Sequence, residues 1–135
     1  PVILTEQYPK GLGPTVSEIR EILPSAAPVE KMSFNCCEEP SFMREIKYIE
    51  RKTLLLAGME AHICVLQTCL SLLRDGFTVH VIRDAVCSRT KANWETGLAF
   101  MHDAGAVITS TETVLFQVLK KAGTEDFKAI SQRIK

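Results

Sequence analysis

The residues best placed to do chemistry lie in the stretch LLLAGMEAHICVLQT, Leu54–Thr68. An apolar run stops at Gly58, and six residues later Cys64 sits among helix formers. The run reads as a strand and its continuation as a helix, so the thiol falls about one turn into that helix. A helix amino terminus carries unpaired N–H groups and the positive end of the helix dipole, and both stabilise a thiolate over a thiol. Such sites lower the ordinary cysteine pKa of about 8.5 by one to several units. The same amides bind the oxyanion formed when a thiolate attacks a carbonyl, a contribution of roughly 3–4 kcal/mol per donor. Strand, tight turn, nucleophile and helix is also the layout of the serine elbow in other hydrolases. The competing reading is a small core hydrophobe, the commoner fate of a cysteine. Cys69, five residues on, reads that way.

The elements that must position this turn follow from pattern and punctuation. Pro1–Gln7 (PVILTEQ) reads as a buried strand and YPKGLGP as a loop. Thr15 with Glu18 fits a capping box, and Val16, Ile19, Ile22 and Leu23 recur at helical spacing up to Pro24. Glu30–Phe34 (EKMSF) reads as a short strand. Ser41 is expected to cap a helix with Phe42, Ile46 and Ile49 on one face. Thr53–Ala57 is a continuous apolar run of buried-strand length. Ala61–Asp75 reads as a helix closed by Gly76. Phe77–Ile82 is expected as a strand and Asp84–Arg89 (DAVCSR) as a loop. Thr90 can cap a helix carrying Trp94, Leu98 and Met101. Ala106–Thr109 reads as a strand. Ser110 or Thr111 starts one helix and Thr124 caps a last one.

Strands thus alternate with helices, and the strands are apolar throughout rather than alternating. That pattern specifies an α/β fold, a three-layer α-β-α arrangement around a parallel sheet covered on both faces. One domain, residues 1–135, accounts for the length. Ligands of such sheets bind beyond the carboxyl ends of the strands, where TEQYPKG, GMEAHIC and DAVCSRT lie.

Composition narrows the function. Sixteen basic residues balance sixteen acidic ones, with no run of like charge, which disfavours nucleic acid as a partner. No apolar run approaches the roughly 20 residues of a membrane span, and no secretory signal pattern is visible. The five cysteines, Cys36, Cys37, Cys64, Cys69 and Cys87, form neither a disulfide framework nor a zinc-ligand spacing. A reducing compartment, cytoplasmic or mitochondrial, fits that usage.

The segment GMEAHICVLQTCLSLLRDGFTVHVIRDAVCSR resembles the region around the nucleophile in the isochorismatase-like cysteine hydrolases. Gly58, Cys64 and Val65, then Asp84, Ala85, Ser88 and Arg89, match the family pattern. TEQYPKGLGPTV and FKAISQRIK are most similar to the isochorismatase domain-containing proteins. The resemblance implies a Rossmann-like hydrolase fold and an aspartate–lysine–cysteine triad acting without a cofactor. By resemblance Cys64 is the nucleophile and Lys31, in EKMSF, the lysine. On its residue type alone Lys31 would be a solvated surface side chain. The resemblance further implies a cis peptide between Met59 and Glu60, with the Glu60 and Cys64 N–H groups as the oxyanion hole. It also implies a small-molecule substrate cleaved at an amide or related C–N bond, and a homo-oligomer.

The sequence departs from the family in two places. The family aspartate lies on a central first strand preceding the one matched by PVILTEQ, and no residue here matches it. A leading segment bearing that strand is therefore expected to be missing from the chain as given. Nicotinamidases carry an Asp-x-His metal site where this chain reads TEQYPKGLG; the lack of histidine there points to no metal and away from nicotinamidase activity. Gln7 and Tyr8 stand where substrate contacts or loop packing are both open. His62 could face the pocket or pack on the sheet. Arg89 could bind an anionic group or brace the Asp84 loop. Two other functions remain to be weighed: a catalytically silent binding protein on the same fold, and a ribonuclease using His62, His80 or His102.

Overall fold

A computed structural model describes residues 1–134, and Lys135, the last residue of the expected domain, lies outside them. Its strands are β1 (Thr5–Gln7), β2 (Val29–Lys31), β3 (Thr53–Met59), β4 (Thr78–Cys87) and β5 (Val107–Thr109). The helices are α1 (Pro9–Leu12), α2 (Ser17–Ile22), α3 (Pro40–Ile49), α4 (Leu66–Arg74), α5 (Lys91–Asp103), α6 (Thr111–Leu119) and α7 (Glu125–Ser131). All strand pairing is parallel and helices flank the strands, so the α/β class expected from the alternation is what the chain adopts.

The pairing falls into two sheets. β1 pairs with β2, and β3, β4 and β5 lie side by side with β4 central. Among the described residues β1 and β3 each have one edge with no strand partner. That edge changes β3. The apolar run was expected to be buried, yet Leu55 is 53% exposed and Met59 is exposed as well. The core sits instead on β4 and the helices over it, with Cys69, Leu72, Val79, Val81 and Met101 almost fully enclosed.

β4 continues through Cys87, so the DAVC part of the expected loop is strand. A register shift between Leu56 and Gly58 lets Gly58 pair with Val86 and Met59 with Cys87. Helix starts follow the caps where a side chain supplies the acceptor. Thr90, Ser110 and Thr124 accept from the N–H groups of Asn93, Thr113 and Phe127 respectively.

Two expected caps do not form. Thr15 donates its N–H to the buried Glu6 carboxylate, 2.8 Å away, and α2 begins at Ser17 with no side-chain cap. Pro40 opens α3, displacing Ser41 into the first turn. α2 buries none of its residues, and Val16, Ile19 and Ile22 point to solvent. The YPKGLGP stretch holds the single turn of α1, where the Tyr8 ring packs so closely over Gly11 that no Cβ would fit. No described helix is long and apolar enough to cross a membrane.

Candidate functional site

The Cys64 turn is not a simple helix start. Ala61–Val65 form a wide turn of π type, closed by the Val65 N–H donating to the Glu60 carbonyl at 3.2 Å, and α4 follows directly. The Met59–Glu60 peptide is cis, as the resemblance implied. Cys64 is half-buried in this turn. Behind it, α5 approaches so closely that a Cβ on Gly97 would lie 2.9 Å from the His62 N and Cα atoms. In the sequence Gly97 carries no such signal, since a glycine inside a helical pattern reads only as a weak point.

Lys31 is 5% exposed, so the surface reading of this lysine is overturned. Its ammonium donates to Gln7 Oε1 on the neighbouring strand, to Ser33 O at 2.9 Å and to Phe34 O at 3.1 Å. These three bonds match the three donors of an ammonium, which is how a charge is tolerated in the interior. None of the ion pairs among the described residues involves Lys31. Gln7 bridges the lysine and the segment after it, because its Oε1 accepts from Lys31 while its Nε2 donates to Met32 O at 2.7 Å. Tyr8, in the left-handed region at φ 42°, packs its ring over Gly11 and stays half-exposed.

The two sheets are tied together beside these residues. The Cys36 N–H donates to Thr68 Oγ1 at 3.0 Å, and Asn35 Nδ2 donates to Ser71 Oγ at 2.9 Å. Thr68 and Ser71 lie on α4, which continues directly from the Cys64 turn. They are buried, and they meet the loop immediately after Ser33 and Phe34, whose carbonyls hold Lys31.

Over the turn lies a polar cluster. His62 Nδ1 is 3.0 Å from Ser88 Oγ and 3.5 Å from Glu60 Oε2. Arg89 holds the same carboxylate through Nε at 3.1 Å and its backbone N–H at 3.4 Å. Serine, histidine and glutamate are thus adjacent but do not form a relay, because hydroxyl and carboxylate both approach one ring nitrogen. Burial disfavours ionisation of Glu60, but the Arg89 hydrogen bonds and charge outweigh it and hold the carboxyl below its ordinary range. Arg89 braces the Glu60 turn and not Asp84. Asp84 accepts from the Thr111 N–H and hydroxyl at 2.8 and 3.1 Å, anchoring the start of α6.

The other thiols are spread through the chain. Burial pushes Cys37 up to about 12 and Cys69 up to about 11, and Cys36 is buried while Cys87 is exposed. The histidines do not converge: His80 is on β4, and His102 on α5 pairs with its neighbour Asp103 at 3.3 Å. Among the described residues no group of His, Cys, Asp or Glu is arranged to hold a metal ion. Two surface grooves, of about 430 and 600 Å³, lie along Arg83, Trp94 and His102 and along Ile3, Pro28 and Arg44, away from Cys64.

The chain is similar to known proteins. The secreted isochorismatase effector Isc1 of Phytophthora sojae is 45% identical over 140 aligned positions, covering 100% of this chain and 66% of that protein. Isochorismatase domain-containing protein 2A of Mus musculus is 38% identical, covering 100% of this chain and 64% of that one. The structure of the MAR1 ribonuclease of Caenorhabditis elegans superposes with a TM-score of 0.88 at 37% identity, covering 99% of this chain and 69% of that chain. The chain spans about two thirds of the length of the relatives it matches. The isochorismatase domain model matches residues 1–113, taking in both Lys31 and the Cys64 turn, and the chain belongs to the isochorismatase family.

Proposed function

We propose that this chain carries the nucleophile and lysine of a metal-independent cysteine hydrolase acting on a small molecule at an amide or related C–N bond. The observation that carries this reading is the buried Lys31 ammonium, held by a loop that is bonded to α4, the helix continuing the Cys64 turn. An ammonium near the turn favours the thiolate, and the amides of the turn favour the oxyanion.

The Cys64 thiolate attacks the carbonyl carbon, the C–N bond breaks, and the amine leaves with a proton supplied by a carboxylic acid. Water, deprotonated by that carboxylate, then attacks the thioester; the C–S bond breaks, releasing the acid product and the thiolate. In the family an aspartate fills this acid–base role, and no residue of this chain matches it. Self-association is supported by the exposed apolar side chains of α2, and the cysteine usage supports a reducing intracellular setting.

Iodoacetamide at neutral pH tests the nucleophile. Stoichiometric labelling of Cys64 well ahead of the other four thiols is expected, with Cys64→Ala abolishing turnover of a small-amide panel. Equal labelling of Cys64 and the exposed Cys87 would overturn it. The lack of a carboxylate ion pair to Lys31 among the described residues favours the second reading, a silent binding protein, which the same labelling separates. A ribonuclease reading draws on the likeness to the MAR1 protein. It requires RNA cleavage that survives Cys64→Ala and disappears with a histidine substitution.

A further inference from the structure

Glu60 sits in tension with the hydrolase reading, on which this inference rests. Its carbonyl closes the turn that carries Cys64, so its carboxylate heads the same turn as the proposed thiolate. A carboxylate at the head of a turn opposes formation of an anion within it. Arg89 resolves the conflict from outside the turn, gripping Oε2 with both its guanidinium Nε and its backbone N–H. Ser88, the preceding residue, takes up the His62 ring beside it.

We propose that Arg89 is a positioning residue for the nucleophile: it draws the Glu60 carboxylate to the end of β4 and neutralises it there, so that the charge does not oppose formation of the Cys64 thiolate. Other charges around the turn do not substitute for it. β3 carries no charged residue, and α4 carries none before Arg74. On α5, Lys91 pairs with Glu95 at 3.6 Å and His102 with Asp103. On β4, Arg83 lies over the Trp94 ring and Asp84 is bound to Thr111. β4 also carries His80 and the exposed Cys87, which pairs with Met59 beside Glu60; Lys31 lies on the other sheet, and His62 is the titratable neighbour within the turn.

The test is the rate of Cys64 carboxamidomethylation against pH, read by peptide mass in the intact chain. Arg89→Gln is expected to move the midpoint of the profile upward by roughly half a pH unit, slowing labelling below the midpoint about threefold. Glu60→Gln is expected to move it downward. The deciding measurement is Arg89→Gln on the Glu60→Gln background, where it should have no effect, because Arg89 acts through Glu60. Arg89→Lys, which keeps a cation for the carboxylate, should restore most of the profile. The Arg89 side chain is 66% exposed, and thermal melting checks that each variant folds. A silent Arg89→Gln, or an equal shift on both backgrounds, overturns this inference and leaves Cys64 as the nucleophile. If Cys64 of the unaltered protein reacts no faster than Cys87, the hydrolase reading itself falls and the inference falls with it.

Discussion

Lys31 carries the sharpest conflict at the scale of single residues. A buried ammonium with only neutral acceptors is costly to desolvate, and a chain selected for stability alone would place a methionine there. Removing it leaves Gln7 Oε1 and two carbonyls without their donor, which is also costly. These two effects oppose each other, so Lys31→Met is expected to change stability by no more than about 2 kcal/mol in denaturant titration. Its effect on Cys64 is read separately, as an expected fall of about tenfold in alkylation rate at neutral pH. A variant that keeps both stability and thiol reactivity would remove Lys31 from the electrostatics of the site. Residue type alone assigns Lys31 to the surface, since most lysines are there. Its burial depends on the partner glutamine on β1 and on the path of the following loop, and no local pattern encodes either. Cys64 is more legible, because a glycine ending an apolar run and a thiol one turn later are both local features.

Legibility at the scale of elements follows the same division. Thr90, Ser110 and Thr124 are readable as caps because a cap is a contact within four residues. The Thr15–Glu18 box fails because Glu6, nine residues earlier in the chain, captures the Thr15 N–H. The DAVC stretch reads as loop because Asp84 and Ala85 bulge out of β4 without β3 partners before Val86 and Cys87 pair with Gly58 and Met59. Gly97 belongs to the same class of tertiary information. It is the point at which α5 touches the backbone of the Cys64 turn, and a methyl group there would stand 2.9 Å from two backbone atoms of His62. Backbone cannot give way as a side-chain tip can, so Gly97→Ala is expected to cost about 1–3 kcal/mol. It should also alter the Cys64 labelling rate, while an alanine at the neighbouring exposed Thr96 should not. Unchanged melting and labelling in Gly97→Ala would mean that α5 does not fix the turn.

For the whole molecule, the division into two sheets makes a prediction about cooperativity. β4 is paired on both sides and lies in the core, whereas β1 and β2 form a two-stranded sheet, an arrangement of marginal stability by itself. Their polar link to the larger sheet runs through Asn35 and Cys36, bonded to Ser71 and Thr68 of α4, beside an apolar cluster of Cys36, Phe42 and Ile46 on which Val29 and Leu54 both pack. Hydrogen exchange should therefore be slowest in β4 and distinctly faster in β1 and β2, which open as a separate unit. Ser71→Ala sharpens the contrast, because it leaves the buried Asn35 amide without its acceptor at a cost of about 1–3 kcal/mol. That cost falls on the link and not on the β4 core. Exchange in β1 and β2 should accelerate about tenfold or more while β4 protection, measured under conditions of local opening, stays within a factor of about two. Such a result would make the Asn35–Ser71 bond the joint that keeps the lysine sheet in register with the cysteine turn, and Cys64 labelling would slow in the same variant. Equal acceleration in β2 and β4 would instead show one cooperative unit, with the joint no more than a local contact.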